Sequence, residues 1–426
     1  MKIKEIVSAL ERFAPLPLQD GFDNAGLQIG LTEAEATGAL LCLDVTEAVL
    51  DEAIALGYNL VISHHPLIFK GYKSITGKDY VERCILKAIK NDIVIYSAHT
   101  NLDNAQGGVN YKIAEKIGLK NLKVLEPKEN SLIKLVTFVP DAQADSVREA
   151  LFAAGCGNIG NYDSCSYNLK GEGTFRAKEG THPFCGTIGE LHHENEVRIE
   201  TILPVYKKAE VIKALLSVHP YEEPAFDLYP LQNDWLQAGS GIVGELDESE
   251  TELEFLKRIK KIFEVGCVRH NKLTGREIQK VALCGGAGAF LLPQAIRMGA
   301  DVFITGEIKY HDYFGHEGDI LMAEIGHYES EQYTKEITME RAKSVPPSTI
   351  TAQSPGVTRR RQSAYHVHIG NTAFFVRYKV LKCKYFISFY GYGAAGCWSG
   401  ISSAAFSSSP HQAIWPWPQP RQYPER

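Results

Sequence analysis

Apolar runs of strand length alternate with stretches of helical period through most of this chain. A helix near residues 3–13 comes first, then a strand near 39–44 and a helix near 46–56. The run ending at Leu60-Val61-Ile62 predicts a buried strand, Val81 to Lys90 a helix, and Ile93 to Ala98 a second buried strand. Such alternation predicts a parallel or mixed sheet with helices packed outside it. The rhythm returns later. Ser240 to Glu245 and Lys280 to Leu283 read as strands flanking a helix over Glu252 to Phe263, and a helix over Phe290 to Met298 precedes strands at Asp301 to Ile304 and Leu321 to Ile325.

Between these stretches the pattern differs. Leu132 to Val139 reads as a strand, Ala142 to Ala154 as a helix, Glu196 to Pro204 as a strand, Val205 to Ser217 as a helix and Ala225 to Tyr229 as a strand. That order fits a β-α-β-β-α-β unit of ferredoxin-like type. The expected fold is therefore α/β: a two-part core with mixed sheets, interrupted by an inserted α+β ferredoxin-like domain. The expected segments are 1–126 and 236–337 for the core, 127–235 for the insert, and a basic tail over 338–426.

Composition narrows the setting. A chain of 426 residues is long enough for two or three domains with sizeable cores. Its nine cysteines form no Cys-x-x-Cys pair, so a disulfide frame or zinc knuckle is not expected, and a reducing cytoplasm fits. The N-terminus opens an amphipathic helix rather than a secretory apolar segment, and no apolar run reaches the ~18 residues that span a bilayer. Residues 341–426 carry 11 Lys or Arg against the single acid Glu425, net plus 10; the residues before them carry 34 basic and 50 acidic side chains, net minus 16. An acidic body offers no groove for a phosphate backbone, which argues against nucleic-acid binding.

The candidate chemistry lies at strand ends. His64 and His65 follow the first buried strand, and Pro66 keeps His65 out of the helical region. The second strand leads into His99-Thr100-Asn101-Leu102-Asp103, and Leu321 to Ile325 leads into Gly326-His327-Tyr328-Glu329-Ser330-Glu331. On a helix His327 and Glu331, four apart, share one face. His64, His65, Asp103, His327 and Glu331 thus form a mixed imidazole and carboxylate set, suited to zinc, iron or manganese rather than calcium or magnesium. Five ligands exceed what one catalytic zinc takes and suit two ions if one carboxylate bridges. Three neutral imidazoles and two carboxylates leave two divalent ions a net charge of about plus two, favourable for hydroxide or an anionic substrate.

Other motifs read more plainly. Cys284-Gly285-Gly286-Ala287-Gly288 is a strand-to-helix turn whose N–H groups suit a phosphate or carboxylate, or whose glycines serve only the tight turn. No Gly-Lys-Ser/Thr follows, so it is not a Walker A loop. The prolines of His219-Pro220-Tyr221-Glu222-Glu223-Pro224 and Thr181-His182-Pro183-Phe184 mark strand entries rather than a second metal site. Tyr162, Phe175 and Phe184 read as packing or inter-subunit contacts.

Together with these motifs, Asp23-Asn24-Ala25-Gly26-Leu27-Gln28-Ile29-Gly30, Leu43-Asp44-Val45-Thr46 and Thr305-Gly306-Glu307 give the chain a specific resemblance over residues 1 to about 335. It resembles the Nif3-like dinuclear metal proteins, whose bacterial members are called GTP cyclohydrolase 1 type 2 homologs. The resemblance implies the same five metal ligands and two divalent ions per subunit. It implies a metal-dependent hydrolase acting on a small molecule, a nucleotide if the family name is taken literally, with Glu307 and His311 as proton-moving residues or else as polar residues of a helix face. It also implies a homohexameric ring and an insert of the type found in trimeric signalling and copper-tolerance proteins. A non-catalytic metal-binding regulator or metal-handling scaffold is the competing reading.

The resemblance stops near Ile337. The family pattern implies that the last helix runs on and a short closing strand follows. This sequence instead carries Pro346-Pro347, Arg359-Arg360-Arg361, a Ser/Gly-rich stretch and Trp415-Pro416-Trp417-Pro418. Its loss of acids and of periodicity fits translation in a shifted reading frame, with a native basic extension as the alternative.

Overall fold

The computed structural model describes residues 1–316, 318–343, 363–368 and 378–380. In chain order the strands are β1 (Gly26–Ile29), β2 (Gly38–Cys42), β3 (Leu60–Ser63), β4 (Val94–Ser97) and β5 (Lys120–Lys128). Next come β6 (Leu132–Pro140), β7 (Ser166–Arg176), β8 (Leu191–Pro204) and β9 (Phe226–Pro230). The series closes with β10 (Trp235–Thr251), β11 (Arg269–His270), β12 (Glu277–Cys284), β13 (Val302–Thr305), β14 (Leu321–Glu324), β15 (Ser363–His368) and β16 (Tyr378–Val380). The fold is mixed α/β.

Two six-stranded sheets share one plan. The first runs β1-β4-β3-β2-β15-β16 and the second β11-β14-β13-β12-β10-β5. In each, three central strands are parallel, β2-β3-β4 and β12-β13-β14, and antiparallel strands flank them. Strands β2, β3, β4 and β13 are buried along their whole length and largely apolar, as strands covered on both faces must be. A shared core takes Ile62 and Tyr96 from one sheet and Leu283 and Ile304 from the other, with Phe255 and Phe263 also fully buried there. Burying such a side chain contributes about 1.5–3 kcal/mol. Helices Glu47–Leu56 and Tyr80–Lys90 cover the outer face of the first sheet through Leu50, Ala53, Cys84 and Ile85. Their starts are set by Thr46 and Asp79, whose side chains accept from the N–H groups of Val49 and Glu82.

The third sheet, β7-β8-β6-β9, is antiparallel throughout. Helices Ala144–Ala153 and Lys208–Val218 cover one face, burying Val147, Leu151, Val211 and Leu215 against Leu135 and Ile199. The chain leaves the second sheet at Lys128 and re-enters it at Trp235, and these two residues are paired. β7 was not expected from its pattern. Its sequence is polar with Gly171 and Gly173 inside it, and it forms as an exposed edge strand because β8 supplies the whole ladder.

A helix over Thr334–Lys343 runs through Ile337, and β15 pairs antiparallel with β2, with β16 beyond it. A closing strand is therefore present within 338–426. The rest of that tail, including Pro346-Pro347, Arg359 to Arg361 and Trp415 to Pro418, lies outside the described residues, as does the shifted-frame reading. Among the described residues no helix is long and apolar enough to cross a membrane.

Candidate metal centre

Parallel strands carry all their C-terminal ends to one edge of a sheet, and these edges hold the candidate chemistry. The end of β3 presents His64 and His65, and the turn after β4 presents His99 and Asp103. Gly306 and Glu307 follow β13, which ends at Thr305, and a short helix, His327–Glu331, follows β14. The two His-x-x-x-acid segments, 99–103 and 327–331, follow corresponding strands of the two sheets.

Each imidazole is oriented through Nδ1. His64 Nδ1–H donates to the Ala98 carbonyl at 2.7 Å; a carbonyl only accepts, so the neutral ring carries its lone pair on Nε2. His65 Nδ1 donates to Asp44 Oδ1 at 2.8 Å, and His327 Nδ1 to Glu307 Oε1 at 2.8 Å. Carboxylates and carbonyls in this position fix the ring and raise its basicity as a ligand.

The three Nε2 atoms converge on Glu331, whose side chain is only 3% exposed. Its Oε1 lies 3.7 Å from His64 Nε2, and its Oε2 lies 3.0 Å from His65 Nε2 and 3.3 Å from His327 Nε2. Asp103 Oδ1 stands 3.7 Å from His64 Nε2. At the cluster His64–Asp103–Glu331 and His65–His327–Glu331 are donor sets that share Glu331, and His64–His65–His99 is a further set close enough to hold an ion. His64 Nε2 and Asp103 Oδ1 are buried with no hydrogen-bond partner. Leaving such groups unsatisfied costs about 1–3 kcal/mol each. A divalent ion fits between them: bonds near ~2.1 Å in a tetrahedral site set ligand atoms roughly 3.4 Å apart.

The protonation states follow from burial and mutual charge. Burial pushes the His64 pKa down. Burial also disfavours a charged His65, but hydrogen bonds to Asp44 and Glu331 outweigh it and raise the ring to about 10. Burial, then the charge of Glu331, pushes Asp103 well up. Glu331 is held well down, the surrounding imidazoles of His64, His327 and His65 overcoming its burial.

The glycine turn after β12 makes room for Glu331. Gly286 has φ +63°, and a Cβ there would lie 2.4 Å from Glu331 Oε1. The N–H groups of Gly285, Gly286 and Gly288 donate to Asn110 Oδ1, Ser330 Oγ and Thr305 Oγ1, so they are engaged within the protein and do not form a phosphate cradle. Gly286→Ala is expected to cost about 1–3 kcal/mol from backbone strain and to lower metal content by displacing Glu331. Thermal unfolding with parallel metal analysis checks this; an unchanged metal content would show that Glu331 tolerates the displacement.

All five residues expected as ligands meet at this cluster. Glu307 reaches it indirectly, through His327, and so holds a ring in place rather than facing the shared carboxylate. His311 is exposed, its ring set against Tyr310 and Phe314, and it is not brought to the cluster. His99 is the residue the sequence reading passed over as a site group: its ring centroid is 5.3 Å from that of His64 and 5.5 Å from that of His65. Its Nδ1 pairs with Asp23 Oδ1 at 2.7 Å, and Asp23 also accepts from the Thr100 N–H and hydroxyl. Burial opposes ionisation of Asp23, but these hydrogen bonds prevail and hold its pKa at about 2. The signal in the sequence was the spacing, since His99 stands to Asp103 as His327 stands to Glu331.

Residues 1–353 match the family model described as Duf34/NIF3 (NGG1p interacting factor 3). A curated relative from Halalkalibacterium halodurans, called GTP cyclohydrolase 1 type 2 homolog, is 47% identical over 307 residues, 72% of this chain and 82% of the relative. A Bacillus subtilis relative of the same name is 39% identical over 337 residues, 78% of this chain and 90% of its own. Among solved structures, a Bacillus cereus protein related to NIF3 superposes with a TM-score of 0.71 at 40% identity, covering 81% of this chain and 94% of that one. With the sheets, the paired strand ends and the shared carboxylate in place, the match over most of its length shows that the chain belongs to the Duf34/NIF3 family.

Proposed function

We propose that this chain is a dinuclear divalent-metal protein that acts as a metal-dependent hydrolase. One position would be held by His64, Asp103 and one oxygen of Glu331, the other by His65, His327 and the second oxygen of Glu331. The divided carboxylate of Glu331 carries this reading, because one buried side chain faces two separate sets of donors. The nitrogen and oxygen donors suit zinc, iron or manganese. When bound, two such ions would supply Lewis acidity and bring the pKa of water towards neutrality.

The remaining roles fall to the chain's own groups. Asp44, the Ala98 carbonyl and Glu307 keep the three imidazoles in the tautomer with a free Nε2. His99, anchored by Asp23, is the residue we assign to taking and returning a proton at the substrate. The segment 127–235 would be an inserted ferredoxin-like domain between the core halves 1–126 and 236–337, and the protein a cytoplasmic homohexamer. The name of the curated relatives makes a nucleotide, GTP first, the substrate class to test.

Metal-loaded protein should release formate or phosphate from GTP or a related compound. His99→Ala should lower kcat by about 10²–10⁴-fold, the usual yield of general acid–base catalysis, with metal content unchanged. Absence of turnover across nucleotides, phosphoesters and cyclic amides, with metal that exchanges freely, would replace this reading with a metal-handling scaffold. Within the centre, Asp44→Asn keeps an acceptor for His65 but removes its charge. It should weaken metal binding about 10–100-fold in a chelator competition.

A further inference from the structure

The open face of the third sheet carries a second group of donors. Side chains alternate along β8, so His192, Glu194, Glu196 and Arg198 point away from the helices that cover Val197 and Ile199. Glu196 and Arg198 line a cavity of about 630 Å³ together with Phe175, Phe184 and Tyr221. At its edge the loop between β7 and β8 folds back and brings Cys185 to the same face.

Cys185, His192 and Glu194 each place one donor atom within 4.8 Å of the others. His192 Nε2 is 2.9 Å from Glu194 Oε2, and the Cys185 thiol points to the Tyr221 hydroxyl at 4.0 Å. Tyr221 is itself fixed, donating to Glu196 Oε1 at 2.7 Å. The loop is pressed onto the imidazole: Gly186 has φ +78°, and a Cβ there would lie 2.8 Å from His192 Cγ. The Phe175 ring also packs against His192, with centroids 5.2 Å apart. The glycine thus permits a close approach that sets a sulfur beside a nitrogen and an oxygen.

We propose that Cys185, His192 and Glu194 form a mononuclear site for a zinc-like divalent ion, separate from the centre built on Glu331. One thiolate, one imidazole and one carboxylate make a donor set of charge minus two, which neutralises a divalent ion at a half-buried position. Sulfur and nitrogen donors favour zinc over magnesium or calcium. Three protein ligands leave a fourth tetrahedral position for water or a small ligand. Binding releases the thiol proton to solvent, with no redox step.

Cobalt(II) is the probe, because a cobalt–thiolate bond gives a charge-transfer band that nitrogen and oxygen donors do not. Full-length protein stripped of metal and titrated with cobalt should show this band. It should persist in a His64→Ala/Glu331→Ala double variant, which keeps this test independent of the dinuclear reading. Cys185→Ser should lose the band, and Glu194→Gln should keep it with at least tenfold weaker cobalt binding. The Glu194→Gln titration decides the matter if Cys185→Ser does not fold. No band in the wild type, a band that survives Cys185→Ser, or unchanged affinity in Glu194→Gln would overturn the proposal.

Discussion

Glu331→Gln is expected to strip metal from both positions at once, while His64→Ala or His327→Ala should impair chiefly one. The glutamine keeps the shape of the side chain, but its amide nitrogen has no lone pair to offer. Whichever way the amide lies, one of the two sets loses its shared ligand, and both lose the negative charge that His64, His65 and His327 now surround. Truncating one partner of a buried charged pair costs about 3–5 kcal/mol. At about 1.4 kcal/mol per decade, that weakens binding by roughly 10²- to 10³-fold or more. Elemental analysis of protein purified at limiting metal should find near-complete loss in Glu331→Gln. Retention of half the wild-type metal would mean that Glu331 serves one position only, and the shared-carboxylate reading would fail.

The second large effect is expected on chelation. Ions that bind only the folded chain stabilise it by about 4 kcal/mol per site when free metal exceeds Kd a thousandfold. Stripping the protein should therefore lower its Tm markedly, and restoring zinc or manganese should recover it. The stripped protein should also gain a pH dependence of its own. His65, between Asp44 and Glu331, has a folded pKa of about 10, above its ordinary value of 6.5. A raised pKa of this kind contributes stability that is present in full below about 6.5 and is lost as pH rises through about 10. Denaturant titrations of the stripped protein should show stability falling by a few kcal/mol across that window. An ion on the ring replaces the proton and should flatten the profile. A flat profile in the stripped protein would show that the two carboxylates do not hold His65 protonated.

Much of this arrangement is visible in the residues. The four-residue apolar strands are legible because parallel strands are buried on both faces and read as unbroken runs. The candidate ligand set is legible because each member follows such a run. The environment of each ligand is not, because orientation comes from partners remote in sequence: Asp44 is 21 residues from His65, Glu307 is 20 from His327, and Asp23 is 76 from His99. Glu307 shows the cost. The resemblance implied a proton carrier or a polar helix-face residue, and only the folded chain puts its carboxylate on the far nitrogen of His327. β10 was expected as six residues and spans Trp235–Thr251. Gly239, Gly241 and Gly244 break its pattern, while pairing with β5 and β12 on both sides keeps it extended. The donors at Cys185, His192 and Glu194 were invisible for a similar reason, since a loop had to fold back to bring the thiol beside the strand.

The attachment of the third sheet has a consequence for how the molecule folds. Lys128 faces Trp235 across one ladder and Ile133 faces Pro230 across the next, so both ends of the intervening segment are pinned twice. When that segment is folded, the second sheet meets it as little more than a tight hairpin. When it is unfolded, the same two strands must be held together across a loop of about 100 residues, and the difference in closure entropy is roughly 3 kcal/mol. Local melting of the small sheet therefore taxes the pairing of β5 with β10, and the two parts should unfold more cooperatively than their separate cores suggest.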